Sequence, residues 1–199
     1  MSADPDQTAE PQTAEHPAAP TSTAEIGAVA AAERDLDWPE CHNVRDVGGL
    51  PTMDGHCIKR GALIRADSLN RLTAQGIAAV NAAGVSRIID LRRQTEQGVA
   101  AHPFKADPRY VNIPVQDPAD PDHEWMPLDG IYATMLDLRP DLFGEALSAV
   151  ANAPPGAVVV HCAGGKDCTG TMIAMALSVA GVADDGIAAD YALSEKRLR

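Results

Sequence analysis

The residues best suited to chemistry lie together in one short run, His-Cys-Ala-Gly-Gly-Lys-Asp-Cys-Thr-Gly at 161–170. A buried-strand pattern, Ala157–Cys162, leads into this run, and an apolar helical pattern, Thr169–Ala180, leads out of it. A strand that turns tightly into a helix points several backbone N–H groups at one place, and the helix N-terminus adds partial positive charge there. We therefore expect the turn at 163–167 to bind an anion.

Cys162 stands at the head of this turn, where the same dipoles and the nearby Lys166 are expected to lower the pKa of its thiol. The resulting thiolate would be nucleophilic at neutral pH. Gly164 and Gly165 allow the backbone to approach a phosphate without interference from a Cβ atom. A free cysteine more often serves as a small buried apolar residue, but the glycine-rich setting favours the nucleophile.

Three neighbours of Cys162 have side chains that suit supporting roles. Asp167 can protonate a leaving oxygen as a general acid. Thr169 can donate a hydroxyl hydrogen bond while it caps the following helix, and His161 can orient the turn from below. The run thus predicts a nucleophile, an acid and two orienting groups in one segment.

Glycine, proline and N-cap residues divide the chain into alternating strands and helices. Strands are predicted at 62–66, Val85–Leu91, Tyr110–Val115 and Ala157–Cys162, and helices at Ala74–Ala83, Ile131–Leu138, Asp141–Ala153, Thr169–Ala180 and Asp184–Glu195. This alternation predicts an α/β fold, a three-layer α/β/α sandwich around a largely parallel central sheet. In such sheets ligands bind outside the carboxyl ends of the strands, which is where the Cys162 turn lies.

The N-terminal residues differ in composition from the rest of the chain. Residues 1–35 consist mainly of Ala, Pro, Thr, Glu and Asp and offer few large apolar side chains to bury. Such a segment gains too little from burial to offset the entropy lost on ordering. We expect a disordered acidic tail at 1–35 and a single domain at 36–199.

Composition also excludes several classes of function. The net charge is −12 and the chain has no run of Lys and Arg, so it lacks the cationic surface of a nucleic-acid-binding protein. Its four cysteines form neither a disulfide framework nor a zinc motif. No stretch approaches the roughly 20 apolar residues that cross a bilayer, and the N-terminus has no export signal. We expect a cytoplasmic protein with no metal, no cofactor and no membrane insertion.

The run at 161–170 resembles the signature H-C-x-x-G-K-D-R-T-G of the bacterial and fungal tyrosine-specific and dual-specificity phosphatases, a family that includes phosphoinositide phosphatases. Other segments resemble further family elements. They are N-F-R-D-x-G-G at 43–49, the segment at 63–67 with Leu72 and Thr73, V-I-D-L-R at 88–92 with Glu96, and D-Y-x-L-[ST] at 190–194. The resemblance covers about residue 38 to the C-terminus, and implies a phosphatase-like domain.

The resemblance implies a two-step hydrolysis of a phosphomonoester, on a phosphotyrosine or phosphoserine protein or on a phosphoinositide. Cys162 attacks phosphorus, Asp167 protonates the leaving oxygen, and water then releases phosphate. The implied phosphate-binding residues are Ala163, Gly164, Gly165, Lys166, Cys168 and Thr169. Many related enzymes carry the acid on a separate loop. Here the loop at 116–129 offers three candidates, Asp117, Asp120 and Asp122.

Cys168 is the main departure from this signature, because the family has an arginine at that position. A cysteine has no forked cationic donor for two phosphate oxygens. The loss of one comparable donor costs roughly 10²–10³ in rate, and Lys166 is expected to compensate only in part. Two alternatives follow: an inactive pseudophosphatase that binds phosphorylated ligands or a protein partner, and a reversible disulfide between Cys168 and Cys162. The chain is also expected to be short at its C-terminus, since relatives usually continue with further helices.

Two other functions fit the run poorly. A nucleotide-binding G-x-x-x-x-G-K-[ST] loop would need another glycine and a Ser or Thr where Asp167 stands. Sulfur transfer through a persulfide on Cys162 suits a cysteine on a turn, but the residues at 165–170 favour phosphate chemistry. Elsewhere, Arg45 and Asp46 are predicted to clasp the glycine turn that follows them. The expected ion pairs are Arg65 with Asp67 and Arg92 with Asp90.

Overall fold

The computed structural model describes residues 33–97, 102–117, 120 and 126–198. Most of the predicted tail lies outside this range, and so does Asp122. Residues 33–35 are described, and they pack on the domain: the Arg34 carbonyl accepts a hydrogen bond from the Asp46 N–H, and Asp35 forms a β-bridge with Arg45. No helix among the described residues has the length and apolar character needed to cross a membrane.

A five-stranded sheet forms the centre of the domain, in the order β1-β2-β5-β3-β4. The strands are β1 Arg45–Asp46, β2 Leu63–Ala66, β3 Val85–Asp90, β4 Tyr110–Asn112 and β5 Ala157–His161. All neighbouring pairs are parallel except β1 with β2. In the central strand, Val159 pairs with Ile64 on one side and Ile88 on the other. The predicted largely parallel sheet is confirmed.

Five helices surround this sheet in the described part of the chain. They are α1 Ala74–Ala82, α2 Leu128–Leu138, α3 Pro140–Ala151, α4 Asp167–Val179 and α5 Asp184–Arg197. Helix α4 begins two residues earlier than predicted, because the turn after Cys162 is short enough for Asp167 to be helical. Strand β4 ends earlier than predicted at Asn112, although Ile113 and Val115 still donate backbone hydrogen bonds to Asp90 and Leu91.

Alternation along β5 divides the core into two layers. Val158 and Val160 face a cluster shared with α2, α3 and α4, whereas Ala157 and Val159 face a cluster shared with α1 and with Trp38. All five β5 residues are buried, as a β-branched run covered on both faces predicts. The result is the predicted three-layer α/β/α sandwich, which leaves the loop after β5 at the carboxyl edge of the sheet.

A buried carboxylate on α5 ties this edge of the sheet together. Asp190 accepts hydrogen bonds from Arg65 at 2.6 Å, Arg34 at 2.9 Å and Arg45 at 3.1 Å, and all four side chains are at most 5% exposed. The Ser194 hydroxyl accepts from Arg45 and Arg65. Burial and the neighbouring Arg65 lower the pKa of Arg45 to about 10, while the negative charge of Asp190 opposes this shift. Three cations thus depend on one anion.

Removal of the Asp190 charge is expected to destabilise the fold severely. Asp190→Asn would leave three buried guanidinium groups without their counter-charge, and breaking a buried ion pair in this way costs about 3–5 kcal/mol. Chemical denaturation of the parent and the variant measures this loss. Asp185→Asn is the matched control, because Asp185 is exposed on the first turn of the same helix. A loss for Asp190→Asn as small as the control's would contradict the central role of this carboxylate.

The same interaction sets an acid dependence of stability. Burial alone would raise the pKa of Asp190, but Arg65, Arg45 and Arg34 outweigh it and lower the pKa to about 2. Because the folded-state pKa lies below the unfolded value of about 3.9, the stabilisation is complete above that value. It is lost as the pH falls from about 4 through about 2.

Candidate active site

The segment between β5 and α4 is a tight loop whose shape depends on a close backbone approach. Gly165 has a positive φ of +64°, and a Cβ atom there would lie 2.5 Å from the carbonyl oxygen of Ala66. Any other residue would therefore clash with the end of β2 as well as adopt a strained backbone. The N–H of Gly165 in turn lies 3.2 Å from the Cys162 sulfur.

Three anchors hold the carbonyl groups of this loop. The Asn43 side-chain amide donates to the carbonyls of Gly164 and Gly165 at 3.0 and 3.1 Å. Arg65 donates to the Gly165 carbonyl at 2.8 Å, and the Ser68 N–H donates to the Ala163 carbonyl at 2.9 Å. With these carbonyls bound to the surrounding scaffold, the loop conformation is fixed from outside.

Asn43 is itself positioned by two charged residues. The Asp67 carboxylate accepts from the backbone N–H groups of His42 and Asn43, and Arg45 donates to the Asn43 side-chain oxygen at 2.6 Å. The amide orientation is therefore determined, since that oxygen accepts and the nitrogen must donate to the loop. This positioning role of Asn43 was not predicted from the sequence.

The predicted ion pairs are correct at one position and wrong at the other. Arg92 binds Asp90 through two nitrogens, at 2.9 and 2.7 Å. Arg65 pairs with Asp190 instead of Asp67. The Asp67 carboxylate is already occupied by backbone donors, whereas α5 brings Asp190 directly against the guanidinium.

The prediction that Arg45 and Asp46 clasp the glycine turn is correct for Asp46 and wrong for Arg45. Asp46 accepts from the N–H groups of Gly48 and Gly61, at 2.8 and 2.7 Å, as a clasp should. Arg45 does not serve the turn; it turns inward to Asp190 and Asn43. The opposite directions of the two side chains follow from strand alternation, which sends adjacent residues to opposite faces.

The Cys162 thiol is buried at the mouth of the loop, at 7% exposure, and its pKa is lowered to about 6. Hydrogen bonding from the Cys168 thiol is the largest cause. Burial opposes the shift, while the Thr169 hydroxyl and the N–H groups of Thr169 and Gly165 add to it. At neutral pH the sulfur is therefore mostly a thiolate.

Lys166 lies half-buried at the N-cap of α4. The largest causes of the lowered Cys162 pKa are other groups. The charges of Arg65 and Arg92 interact with Cys162. Arg65 lies on β2 and Arg92 lies just after the end of β3, so both are outside the loop.

Thr169 does not cap α4, contrary to prediction. The helix begins at Asp167, its N-cap is Lys166, and no side chain makes a capping hydrogen bond there. Thr169 therefore lies inside the first turn, fully buried, and its hydroxyl makes no well-aligned hydrogen bond to a described residue. Its proximity to Cys162 still lowers the pKa of that thiol.

Asp167 lies at the start of α4, exposed and at the edge of the cavity that contains Cys162. The Tyr132 hydroxyl donates to its carboxylate at 2.5 Å, and the hydroxyls of Tyr132 and Tyr191 are also hydrogen-bonded to each other. Of the alternative acids, Asp120 pairs with Arg139 at 2.5 Å and its carboxylate accepts from the Asp117 N–H. Neither aspartate lines the cavity, so Asp167 is the acid nearest the thiol among them.

The cavity itself is small, with a volume of about 130 Å³. Its lining residues are Arg92, Glu96, Gln116, Cys162, Ala163, Gly164, Asp167 and Cys168. Arg92 is the one cation among the described residues that line it, and this guanidinium is held by Asp90, Ser68 and Asn70. Glu96 pairs with Arg93. The cavity thus contains a thiolate and a cation that is already paired.

A buried cluster behind the loop was not predicted. Ligand-type atoms of Asp90, His102 and His161 lie within 4.8 Å of one another. Hydrogen bonds occupy this cluster: Asp90 accepts from Arg92 and from the Tyr110 hydroxyl, and the two imidazoles bond to each other. His102 lies 59 residues from His161, so no local pattern could reveal the pairing.

Replacement of Cys168 tests its effect on the Cys162 thiol. Cys168→Ala removes the thiol that lowers the Cys162 pKa most, so this pKa is expected to rise above about 6. Rates of alkylation at Cys162 as a function of pH, followed by mass spectrometry, measure the shift. Cys57→Ala, at an exposed thiol, is the control. An unchanged pKa in Cys168→Ala would assign the lowering to the Thr169 hydroxyl and the backbone N–H groups of Thr169 and Gly165.

Comparison with known proteins shows the family of this chain. The sequence pattern of the tyrosine phosphatase family matches residues 36–199. A protein of Cupriavidus necator, provisionally named a tyrosine-protein phosphatase, is 26% identical over 82% of this chain and 64% of its own length. A tyrosine-protein phosphatase of Nostoc commune is 30% identical over 74% of this chain and 53% of its own. The chain thus spans about half to two thirds of these relatives. By the family match, it belongs to the tyrosine phosphatase family.

Proposed function

We propose that this protein is a cysteine-dependent phosphatase that hydrolyses phosphomonoesters through a cysteinyl-phosphate intermediate. The observation that carries the proposal is a thiol with a pKa of about 6 at the N-terminus of α4, with the Gly165 N–H directed at it. Backbone donors that stabilise a thiolate also suit the equatorial oxygens of a transferring phosphoryl group. Family membership supports the same chemistry.

The reaction proceeds in two displacements. The Cys162 thiolate donates an electron pair to phosphorus while the ester bond breaks, and the leaving oxygen takes a proton from Asp167. The carboxylate so formed then accepts a proton from water, whose oxygen attacks phosphorus and releases the thiolate and inorganic phosphate. Tyr132 donates to Asp167 and fixes its position at the cavity edge.

The proposed substrate is a phosphotyrosine residue of a protein, with phosphoserine and phosphoinositides as further members of the same chemical class. The names of the two relatives support phosphotyrosine. A cavity of about 130 Å³ beside a half-buried lysine accommodates a phosphate group at the end of a longer substrate. The remainder of the substrate would then lie across the surface around Asp167.

An inactive, ligand-binding phosphatase relative is the second candidate, favoured by the cations of the cavity. Cys168 occupies the position of the family arginine, and the Arg92 guanidinium is bound through two nitrogens by Asp90. Neither residue can clamp two phosphoryl oxygens as a free guanidinium does. An active phosphatase with this site would therefore turn over slowly. An inactive relative would bind phosphorylated ligands without turnover.

Hydrolysis of an aryl phosphate in the presence of reductant separates the two candidates. The parent is expected to turn over slowly, Cys162→Ser to be inactive, and Cys168→Arg to gain about 10²–10³ in rate, since one preorganised donor is worth that much. Cys168→Lys is the matched control, because it restores a positive charge without the forked donors of a guanidinium, and its rate should increase less.

Absence of turnover in both the parent and Cys168→Arg, with both folded by circular dichroism, would contradict the phosphatase proposal. Binding of a phosphotyrosine peptide by those same proteins would then support the inactive candidate. Turnover that persists in Cys162→Ser would assign the chemistry to another residue.

The role of Asp167 is tested with two leaving groups. Asp167→Asn is expected to slow the release of an alkoxide by about 10²–10⁴, the usual contribution of general acid catalysis. Release of p-nitrophenolate, which needs little protonation, should change much less. Asp120→Asn is the control, since that carboxylate pairs with Arg139 away from the cavity. Equal losses on both substrates for Asp167→Asn would contradict the acid role.

A further inference from the structure

A line of hydrogen bonds enters the Cys162 loop from behind, through two imidazoles that the proposed reaction does not use. His102 is 3% exposed and His161 is fully buried. Their Nε2 atoms lie 3.1 Å apart. The other nitrogen of each ring, Nδ1, is also in contact with the backbone: in His102 with the Phe104 N–H at 3.2 Å, and in His161 with the Cys162 carbonyl at 3.3 Å.

These contacts determine the proton positions on both rings. A backbone N–H can only donate, so Nδ1 of His102 must accept from Phe104. A neutral His102 therefore carries its proton on Nε2 and donates it to Nε2 of His161. That leaves the His161 proton on Nδ1, where it donates to the Cys162 carbonyl. Every donor in the line thus meets an acceptor, in one direction only.

Both rings are neutral in this arrangement, and burial supports that state. Burial, with the charge of the other imidazole adding to it, lowers the pKa of His102 to about 3. Burial also lowers the pKa of His161, although the Asp90 charge opposes the shift. A proton added to either ring would place two donors face to face at the Nε2 contact, or remove the acceptor from the Phe104 N–H.

Asp90 is not the partner that orients His161. Its Oδ2 atom lies 3.8 Å from Nε2 of His161, beyond hydrogen-bond length. The same oxygen accepts from Arg92 at 2.7 Å and from the Tyr110 hydroxyl at 3.0 Å. His102 is therefore the group in hydrogen-bond contact with Nε2 of His161 among the described residues.

We propose that His102 is a positioning residue for the nucleophile: it fixes His161 as the Nδ1–H tautomer, so that His161 holds the Cys162 carbonyl and the first peptide of the loop. The Cys162–Ala163 peptide sets the direction in which the chain leaves β5, and hence where the Gly165 and Thr169 N–H groups lie relative to the sulfur. The inference rests on the proposed role of Cys162 as nucleophile, and extends the functional site to a residue on a separate loop.

Substitution of His102 tests this through the Cys162 thiol. His102→Phe removes the Nε2 donor, and the apparent pKa of Cys162 alkylation should rise by about half a unit to one unit, the shift equivalent to one ordinary hydrogen bond. His102→Gln can supply an amide donor near the Nε2 position and should restore most of the parental value. His102→Asn, whose shorter amide mimics Nδ1, should not.

A residue that only fills space would give a different result. The melting temperature would then fall in His102→Phe while the Cys162 pKa stayed at the parental value in all three variants, and this outcome would overturn the proposal. Alkylation reports on the thiol without any turnover, so failure of phosphate hydrolysis does not affect the test.

The unaltered protein provides a second measurement that does not depend on the folding of variants. Long-range ¹H–¹⁵N NMR correlations distinguish protonated from unprotonated ring nitrogens. At neutral pH we expect His102 protonated on Nε2 alone and His161 on Nδ1 alone. A proton on Nδ1 of His102, or on Nε2 of His161, would overturn the proposal.

Discussion

The buried contact between Asp190 and three arginines is the interaction on which the rest of this edge of the domain depends. Arg65 uses one nitrogen for Asp190 and another for the Gly165 carbonyl, and Arg45 uses its nitrogens for Asp190 and Asn43, which in turn binds the same loop. Without the carboxylate, both guanidinium groups would be buried and repelling, and a buried charge persists only when paired. The geometry of the loop therefore depends on α5, although Asp190 on this helix lies 25 residues after Gly165 in the sequence.

This arrangement places positive charge behind the thiol and little in front of it. A shift of the Cys162 pKa from 9.0 to about 6 corresponds to about 4 kcal/mol in favour of the thiolate. A missing transition-state donor costs about 3–4 kcal/mol, and such a donor acts on the phosphoryl oxygens. Among the described residues that line the cavity, the cation is Arg92, which is already paired with Asp90. The two effects are similar in size but do not cancel, because one prepares the nucleophile and the other lowers the barrier. Under the proposed function, the protein would therefore have a reactive cysteine and a slow turnover.

The sequence predicts well what depends on local pattern. The Val-rich strand, the glycine turn and the apolar helix predicted the β5–loop–α4 unit, and strand and helix alternation predicted the three layers. The pairing of Arg34 with Asp190 and of His102 with His161 joins residues 156 and 59 positions apart, so no periodicity records it. Thr169 was predicted as a helix cap because the helix was expected to begin there; the close approach of Gly165 to Ala66 tightens the loop, and the helix begins at Asp167 instead. Ion-pair partners depend on the tertiary packing: Arg65 pairs with Asp190, although Asp67 is nearer in the sequence.

The most direct test of the account is to trap the phosphoryl group on the enzyme. The chain is mixed with an aryl phosphate, quenched within the first turnovers, and digested for mass spectrometry. The account predicts a phosphoryl group on Cys162, absent from Cys162→Ser, with more of it in Cys168→Arg. Phosphate release with Cys162 unmodified throughout the time course, or a phosphoryl group on another residue, would contradict it.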